Sequence, residues 1–297
     1  MVSPVRIDLH THSDRSDGTT PPADLVAHAH AFGIDVLALT DHDTTAGWAE
    51  AAAAARRLGV TLVPGIEISC RFAGHGVHLL AYLPDPTFPP LVEELARILD
   101  GRRSRLPATL AKLRGLGIDI DTDDVRRAAA GAVAMGRPHV ADVLVAKGVV
   151  RNREEAFDLF LRTGGPAYVE RYAADLVAMV HTVAAAGGMT VLAHPWASRH
   201  HHEALDRDGL ARLAEAGLAG VEVDHQDHDA AARQRLRDIA ADLDLVVTGS
   251  SDYHGAGKLD HEIGCNTTAQ DCYERLVALA RAAAAASGRS APAVVGA

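Results

Sequence analysis

Apolar residues alternate with polar ones at Val5, Ile7 and Leu9 and then give way to "HTHSDRSDG", so residues 5–18 read as a short strand entering a polar loop. Strand-like runs return at "DVLALTDH", "TLVPGIEIS", "VHLLAYL", "MTVLAHP", "GVEVDH" and "LVVTGSSDYH". Helical patterns between them predict helices at 22–32, 45–58, 174–186, 229–242 and 269–286, the first opened by Thr20 and Pro21–Pro22. Strands alternating with helices predict an α/β fold with a parallel sheet. Seven such strands in 297 residues favour a barrel over an open sheet.

The rhythm breaks at "DPTFPP". Helical pattern then runs over about 90–114, 122–130, 138–147 and 153–162 and ends at "GGPAY". The expected organisation is a discontinuous barrel, residues 1–87 and 176–287, interrupted by a helical insertion or cap at 88–175. The tail "SGRSAPAVVGA" makes 288–297 an expected disordered segment.

Composition narrows the partners. Aromatic residues are only 4%, so the core must be built from Ala, Val, Leu and Ile. Lys+Arg number 29 against Asp+Glu 39, a net charge of −10, which gives no global attraction for double-stranded nucleic acid or an anionic membrane. Three cysteines without CxxC spacing argue against a disulfide framework. "MVSPVRIDLH" lacks an apolar signal core, so the expected location is the cytoplasm. The compositional oddity is seventeen histidines.

Their positions carry the chemistry. His10 and His12 share one face of a strand end, with Asp14 and Asp17 following. "LALTDHD" ends in Asp41, His42 and Asp43; Glu67 and His78 lie in the next two strands. His194 ends "TVLAH", and Asp252 and His254 follow the last strand. In a (β/α) barrel the C-terminal strand ends converge on one mouth. Imidazole and carboxylate together suit Zn, Mn or Fe rather than a thiolate-bound metal. The remaining histidines read otherwise. His200–His202 form a solvated run, His28 and His30 do not share a helix face, and His181 and His261 have no evident partner.

Taken in order, "DLHTHSDRSDG", "TDHDT", "PGIEIS", "AHP" and "SDYHG" resemble the PHP superfamily, the polymerase and histidinol phosphatase phosphoesterases. The resemblance spans residues 7–255 and implies a distorted seven-stranded (β/α) barrel with two or three divalent transition-metal ions. On that resemblance His10, His12, Glu67 and Asp252 hold the first ion. Glu67 bridges to a second held by His78 and His194, and Asp17, His42 and His254 hold the third. Asp17, Glu67 and His194 would be catalytic as well. Asp14 and Asp43 would be solvated or stand behind the ligands, and Asp41 would orient His42 or another ligand from behind.

Three divalent ions against the carboxylates of Asp17, Glu67 and Asp252 would make the mouth positive, which suits a phosphate ester. In the insertion, Arg137 and His139 precede a helix begun by Pro138, where free N–H groups and a guanidinium fork can meet an anion. "GRPH…VAKGVV" followed by "GGPAYV" resembles the nucleotide-hydrolysing branch of the superfamily. That branch removes the 3′-phosphate of nucleoside 3′,5′-bisphosphates, and some members degrade short RNA from the 5′ end. Arg137, His139 and Tyr168 would then read the second phosphate, and His228 would bind phosphate or protonate the leaving oxygen. A phosphatase for another small monoester such as histidinol phosphate, and a degenerate barrel used as a scaffold, are the alternatives.

Overall fold

The computed structural model describes residues 4–130, 132–197, 204–290 and 292–296. Strands β1 (Ile7–Asp8), β2 (Val36–Leu39) and β3 (Thr61–Phe72) pair in parallel. Helices α1 (Pro22–Ala31) and α2 (Trp48–Leu58) connect them. Leu25, Val26, Ala51 and Ala55 of these helices pack on Leu37, Leu39 and Leu62. The all-parallel expectation fails at β4 (His75–Tyr82), which runs antiparallel both to β3 and to β6 (Met189–Leu192). Only Ala73 and Gly74 separate β3 from β4. Two residues make a hairpin, whereas a parallel return needs a crossover of a dozen or more.

Parallel pairing resumes from β6 through β7 (Gly220–Asp224) to β8 (Val246–Gly249). The seven strands follow the order β1-β2-β3-β4-β6-β7-β8, and a short β5 (Ala174–Asp175) lies beside β3. The first and last strands meet beyond their ends through the Thr11–Tyr253 bridge, where the His12 N–H donates to Tyr253 O at 2.8 Å. The barrel is therefore nearly closed.

Helices α7 (Leu176–Ala185), α8 (Arg207–Glu215) and α9 (Ala230–Asp242) each begin at an aspartate N-cap: Asp175, Asp206 and Asp229. The sequence pattern did not predict α8. The His200–His202 run lies outside the described residues. Helix α10 (Gln270–Ser287) closes the chain against β6 and β8. No helix among the described residues is long and apolar enough to cross a membrane.

Two-residue periodicity explains how an Ala/Val/Leu core can carry a polar mouth. Val63 and Glu67 occupy one face of β3. Val63 packs with Val36, Ala38, Leu80, Tyr82, Val191 and Val246, while Glu67 ends among imidazoles. The interior is apolar at the floor and polar at the top.

Between β4 and β5 lie α3 (Pro89–Gly115), α4 (Thr122–Ala128), α5 (Arg137–Ala146) and α6 (Arg153–Ala156), the last continuing into a π-helical turn, Phe157–Leu161. Leu106, Leu110, Leu113, Val125, Val140, Leu144 and Leu161 form a core of their own. The start of α3 belongs elsewhere: Leu91, Leu95 and Ile98 pack into the barrel's outer core. One long helix thus joins the two bodies.

The tail is not free of structure. Val295 exchanges two backbone hydrogen bonds with Leu62, at 2.7 and 3.0 Å. β4 pairs with β3 only from Gly65 onward, so the edge of β3 before it is open, and Val295 covers it.

Candidate metal centre

The strands and the loops after them gather the nine expected ligands into one cluster, with the Glu67 carboxylate at its centre. Glu67, 1% exposed, receives Oε2 contacts from His10 Nε2 at 3.2 Å, His12 Nε2 at 3.0 Å and His42 Nδ1 at 3.2 Å. Its Oε1 lies 2.8 Å from His78 Nδ1 and 3.1 Å from His194 Nε2. Asp252 Oδ1 stands 3.4 Å from both His10 and His12. Asp17 faces His254 Nε2 at 3.2 Å and His42 Nε2 at 3.6 Å.

These atoms form overlapping groups with all donors within 4.8 Å: His10, His12, Glu67 and Asp252; His12, Asp17, His42 and His254; His42, Glu67 and His78; His10, His194 and Glu222. His10 Nε2 and His12 Nε2 face each other at 3.0 Å, and no more than one of two such nitrogens can offer a proton to the other. Asp252 Oδ1 and His42 Nδ1 are buried without a hydrogen-bond partner among the described residues. Converging lone pairs with too few protons are the donor set of a divalent cation. The residues present fit such ions, and all the donors are nitrogen or oxygen.

Electrostatics agree. Burial alone would raise the carboxyls of Glu67, Asp17 and Asp252, but the imidazoles around them, and Lys258 beside Asp252, hold all three well below the usual range. Burial works against charge on His12, yet Asp252 and Glu67 outweigh it and push the ring up to about 10. Burial wins at His42, which is pushed down to about 3. His42 is thus ready as a neutral base, whereas His12 would exchange a proton for a cation.

The groups behind the expected ligands take one branch of the sequence reading each. Asp41 stands behind His12 and not His42: it accepts from the Ser13 N–H at 2.8 Å and from the Ser13 and Ser16 hydroxyls at 2.6 Å each, and Ser16 Oγ lies 3.4 Å from His12 Nδ1. Asp43 is not solvated but stands behind the expected ligands. It is 1% exposed and receives Arg102 Nε at 2.7 Å and the Ser69 N–H at 2.7 Å. Asp14 is partly exposed beside Arg15.

Sequence reasoning missed Glu222, Arg102, Arg153 and Lys258, and took His225, beside His228 in "VEVDHQDHD", for the weaker of the two candidates. Glu222 lies on β7, where its Oε1 is 3.3 Å from His10 Nδ1 and its Oε2 accepts the His194 N–H at 2.8 Å. An acid between two valines in "GVEVD" was the available signal, because Val221 and Val223 face the helices and so turn Glu222 inward. His225 Nε2 lies 3.3 Å from Asp252 Oδ2, and Lys258 Nζ donates to the same oxygen at 2.6 Å.

The residues expected to read substrate sit less simply. Both ring nitrogens of His228 are engaged, Nδ1 with Val223 O at 2.9 Å and Nε2 with the Trp196 N–H at 3.2 Å, so it has no free nitrogen for a phosphate or a leaving oxygen. His139 Nδ1 accepts the Gly136 N–H at 3.1 Å, so the ring itself caps the helix start that an anion was expected to use. Arg137 donates to Leu161 O at 2.8 Å and lies over the rings of Phe157 and Tyr168. Above the ligands opens a cavity of about 890 Å³. Arg151, Arg153 and Lys258 line it together with Asp142, Glu154, Asp158, Asp227 and Asp260, so its walls, unlike a metal-loaded floor, are not positive.

A PHP domain model matches residues 8–111. The chain is 35% identical over 258 residues to a 3′,5′-nucleoside bisphosphate phosphatase of Chromobacterium violaceum, covering 87% of this chain and 90% of that protein. It is 35% identical over 249 residues to a 5′-3′ exoribonuclease of Haemophilus influenzae, covering 84% and 90%. Among solved structures, a protein of Bifidobacterium adolescentis assigned as a metal-dependent phosphoesterase superposes with a TM-score of 0.87 at 34% identity, over 94% of this chain and 97% of that one.

Proposed function

The chain belongs to the PHP domain family of metal-dependent phosphoesterases, and from that premise we propose that it removes the 3′-phosphate of nucleoside 3′,5′-bisphosphates. Stepwise 5′-to-3′ cleavage of short oligoribonucleotides is the same reaction on a longer substrate. The observation that carries the reading is a second, buried cationic site beside the ligand cluster. Burial, and after it nearby arginines with Arg102 among them in each case, disfavour the charges of Arg105, Arg137 and Arg171, all of which lie close to Tyr168. Arg102 has Asp43 as its partner, but Arg105, 7% exposed, forms no hydrogen bond or ion pair with any described residue. Buried guanidinium groups without carboxylates call for an anion. Arg102 also donates to Ser69 Oγ at 2.7 Å, and Ser69 pairs with His78 across the hairpin, which puts the cationic site next to the ligands. A substrate with two phosphates matches two adjacent sites of this kind.

In this reading His10, His12, Glu67 and Asp252 hold one ion, Glu67 with His78 and His194 a second, and Asp17, His42 and His254 a third. Mn, Zn or Fe would suit these donors. Such ions supply an activated water and neutralise phosphate oxygens. The protein's own part is to orient and to exclude. Glu222 fixes the ring of His10 and the backbone of His194, the arginine group holds the remote 5′-phosphate, and the reacting 3′-phosphate is left over the cluster.

Chromatography of products from adenosine 3′,5′-bisphosphate, with Mn²⁺ or Zn²⁺ and with a chelator, tests the reading. Adenosine 5′-monophosphate and phosphate are expected, and only with metal. Loss of the 5′-phosphate first overturns the assignment of the two sites. Hydrolysis of histidinol phosphate with the bisphosphate untouched overturns the nucleotide reading, and hydrolysis of nothing supports the scaffold.

A further inference from the structure

Arg153 stands at the first position of α6, after the Asn152 N-cap, and its side chain is 13% exposed. Its Nε and Nη2 donate to Asp142 Oδ1 at 2.5 Å and Oδ2 at 2.7 Å, a bidentate pair that fixes the plane of the guanidinium against α5. The remaining nitrogen, Nη1, donates to the backbone oxygen of Asp17 at 2.9 Å. The contact is to the carbonyl, so the Asp17 carboxylate stays turned toward His254 and His42.

The same guanidinium touches the second ligand loop. A Cβ on Gly257 would lie 2.1 Å from Arg153 Nη1 and 2.6 Å from Cζ, so this position in "HGAG" accepts only glycine while the arginine is in place. Gly257 ends the short 3₁₀ turn, Gly255–Gly257, that follows His254. The two loops are tied to each other as well. The Thr19 N–H donates to His254 O at 3.1 Å, and the Ala256 N–H donates to Thr19 Oγ1 at 2.9 Å.

We propose that Arg153 is a positioning residue through which the helical insertion holds Asp17 and His254 in ligand geometry, so that it sets the affinity of one metal position and leaves the other two alone. The inference rests on the reading that Asp17, His42 and His254 hold an ion. Glu67 and His78 lie in β3 and β4, and His10, His12 and His194 directly follow β1 and β6, with Glu222 behind His10 and His194; the hydrogen bonds of Arg153 go to Asp142 and Asp17 and reach none of them. Asp17 and His254 lie on loops, and loops need an external brace to keep two ligands in register.

Metal content at fixed free Mn²⁺, followed by chelator competition, tests this without reference to turnover. Arg153→Lys keeps the charge but cannot form the planar fork. Gly257→Ala leaves every charge in place and pushes the guanidinium out. Both variants should bind one ion about 10–100-fold more weakly, the usual effect of losing a group that orients a ligand, with two ions retained at unaltered affinity. The metal-free melting temperature should be unchanged. Three ions at unaltered affinity in both variants overturn the role of Arg153. So does parallel weakening of all three with a lowered melting temperature, which would mark a merely structural contact. An unaltered protein that holds only two ions removes the position itself, and the underlying reading fails with the proposal.

Discussion

Nδ1 of His10 lies 3.3 Å from Oε1 of Glu222, a carboxylate with no exposed surface. Burial alone would raise the Glu222 carboxyl; His10, His225 and His194 outweigh it and hold it ionised, far below the usual range. A charged acceptor at Nδ1 directs the Nε2 lone pair toward Glu67 and Asp252 and strengthens it. The other oxygen of Glu222 takes the backbone N–H of His194, whose φ of 26° is an uncommon value that this bond helps to hold. Glu222→Gln should therefore weaken metal binding about 10–100-fold while the protein still folds. Chelator competition reads the affinity, and equal affinities in the two proteins would show Glu222 to be a bystander.

Glu67 is the group through which five imidazoles meet, three at one oxygen and two at the other. Replacing it by glutamine removes the negative charge that sits among these bases. Glu67→Gln should lose bound metal and activity together, and lose them more severely than Glu222→Gln does. Elemental analysis with anomalous scattering checks the arrangement, and one isolated ion that does not touch Glu67 would contradict it.

Much of this centre was legible because ligands at strand ends need no knowledge of packing. His10, His12, His42, His194 and His254 all follow an apolar run, and a barrel brings such ends together whatever its details. The antiparallel β4 was less legible, because a strand's hydrophobic pattern is the same in either direction. The pattern leaves Asp43 between a solvated place and one behind the ligands, because its partner, Arg102, comes from a helix 59 residues away. Periodicity shows which face of a helix is apolar, but not which polar residue of that helix meets a distant loop. His228 failed for the converse reason: a histidine beside the mouth can spend both nitrogens on the backbone.

Arg102 and Asp43 form a buried pair between the insertion and the barrel, with side chains 5% and 0% exposed. Arg102→Met leaves an uncompensated carboxylate and should cost about 3–5 kcal/mol of stability, and the Arg102→Met, Asp43→Asn double variant should recover part of it. Burial acts to raise the Asp43 carboxyl, but Arg102 outweighs it and the group ends below its usual 3.8. The stabilisation is therefore fully present above 3.8 and is lost as pH falls through the lower folded value. Thermal unfolding of both proteins across acid pH checks the sign: the gap between them should narrow below 3.8.

Arg105 and Arg137 make separable predictions about substrate. Arg137 already has work inside the insertion, with Leu161 O as its acceptor and Phe157 and Tyr168 beneath it. Arg137→Ala should therefore lower the melting temperature as well as alter activity. Arg105 has no such partner, and burial with Arg137, Arg171 and Arg102 around it disfavours its charge, so an anion there relieves a cost instead of adding one. Arg105→Met keeps the apolar stem and removes the charge. It should reduce kcat/KM for a nucleoside 3′,5′-bisphosphate roughly 30–1000-fold, or about 2–4 kcal/mol, the loss of a charge-assisted contact. Hydrolysis of a simple aryl phosphate, which has no second phosphate to hold, should stay at its original rate, and the fold should be as stable or more so. Steady-state kinetics on the two substrates, paired with thermal unfolding, decides it. Equal losses on both substrates would move Arg105 to the reacting phosphate. An unchanged bisphosphate rate would mean that the arginine group neutralises nothing in the substrate, and the remote phosphate would then have to be held by Arg151 or Lys258 in the cavity wall.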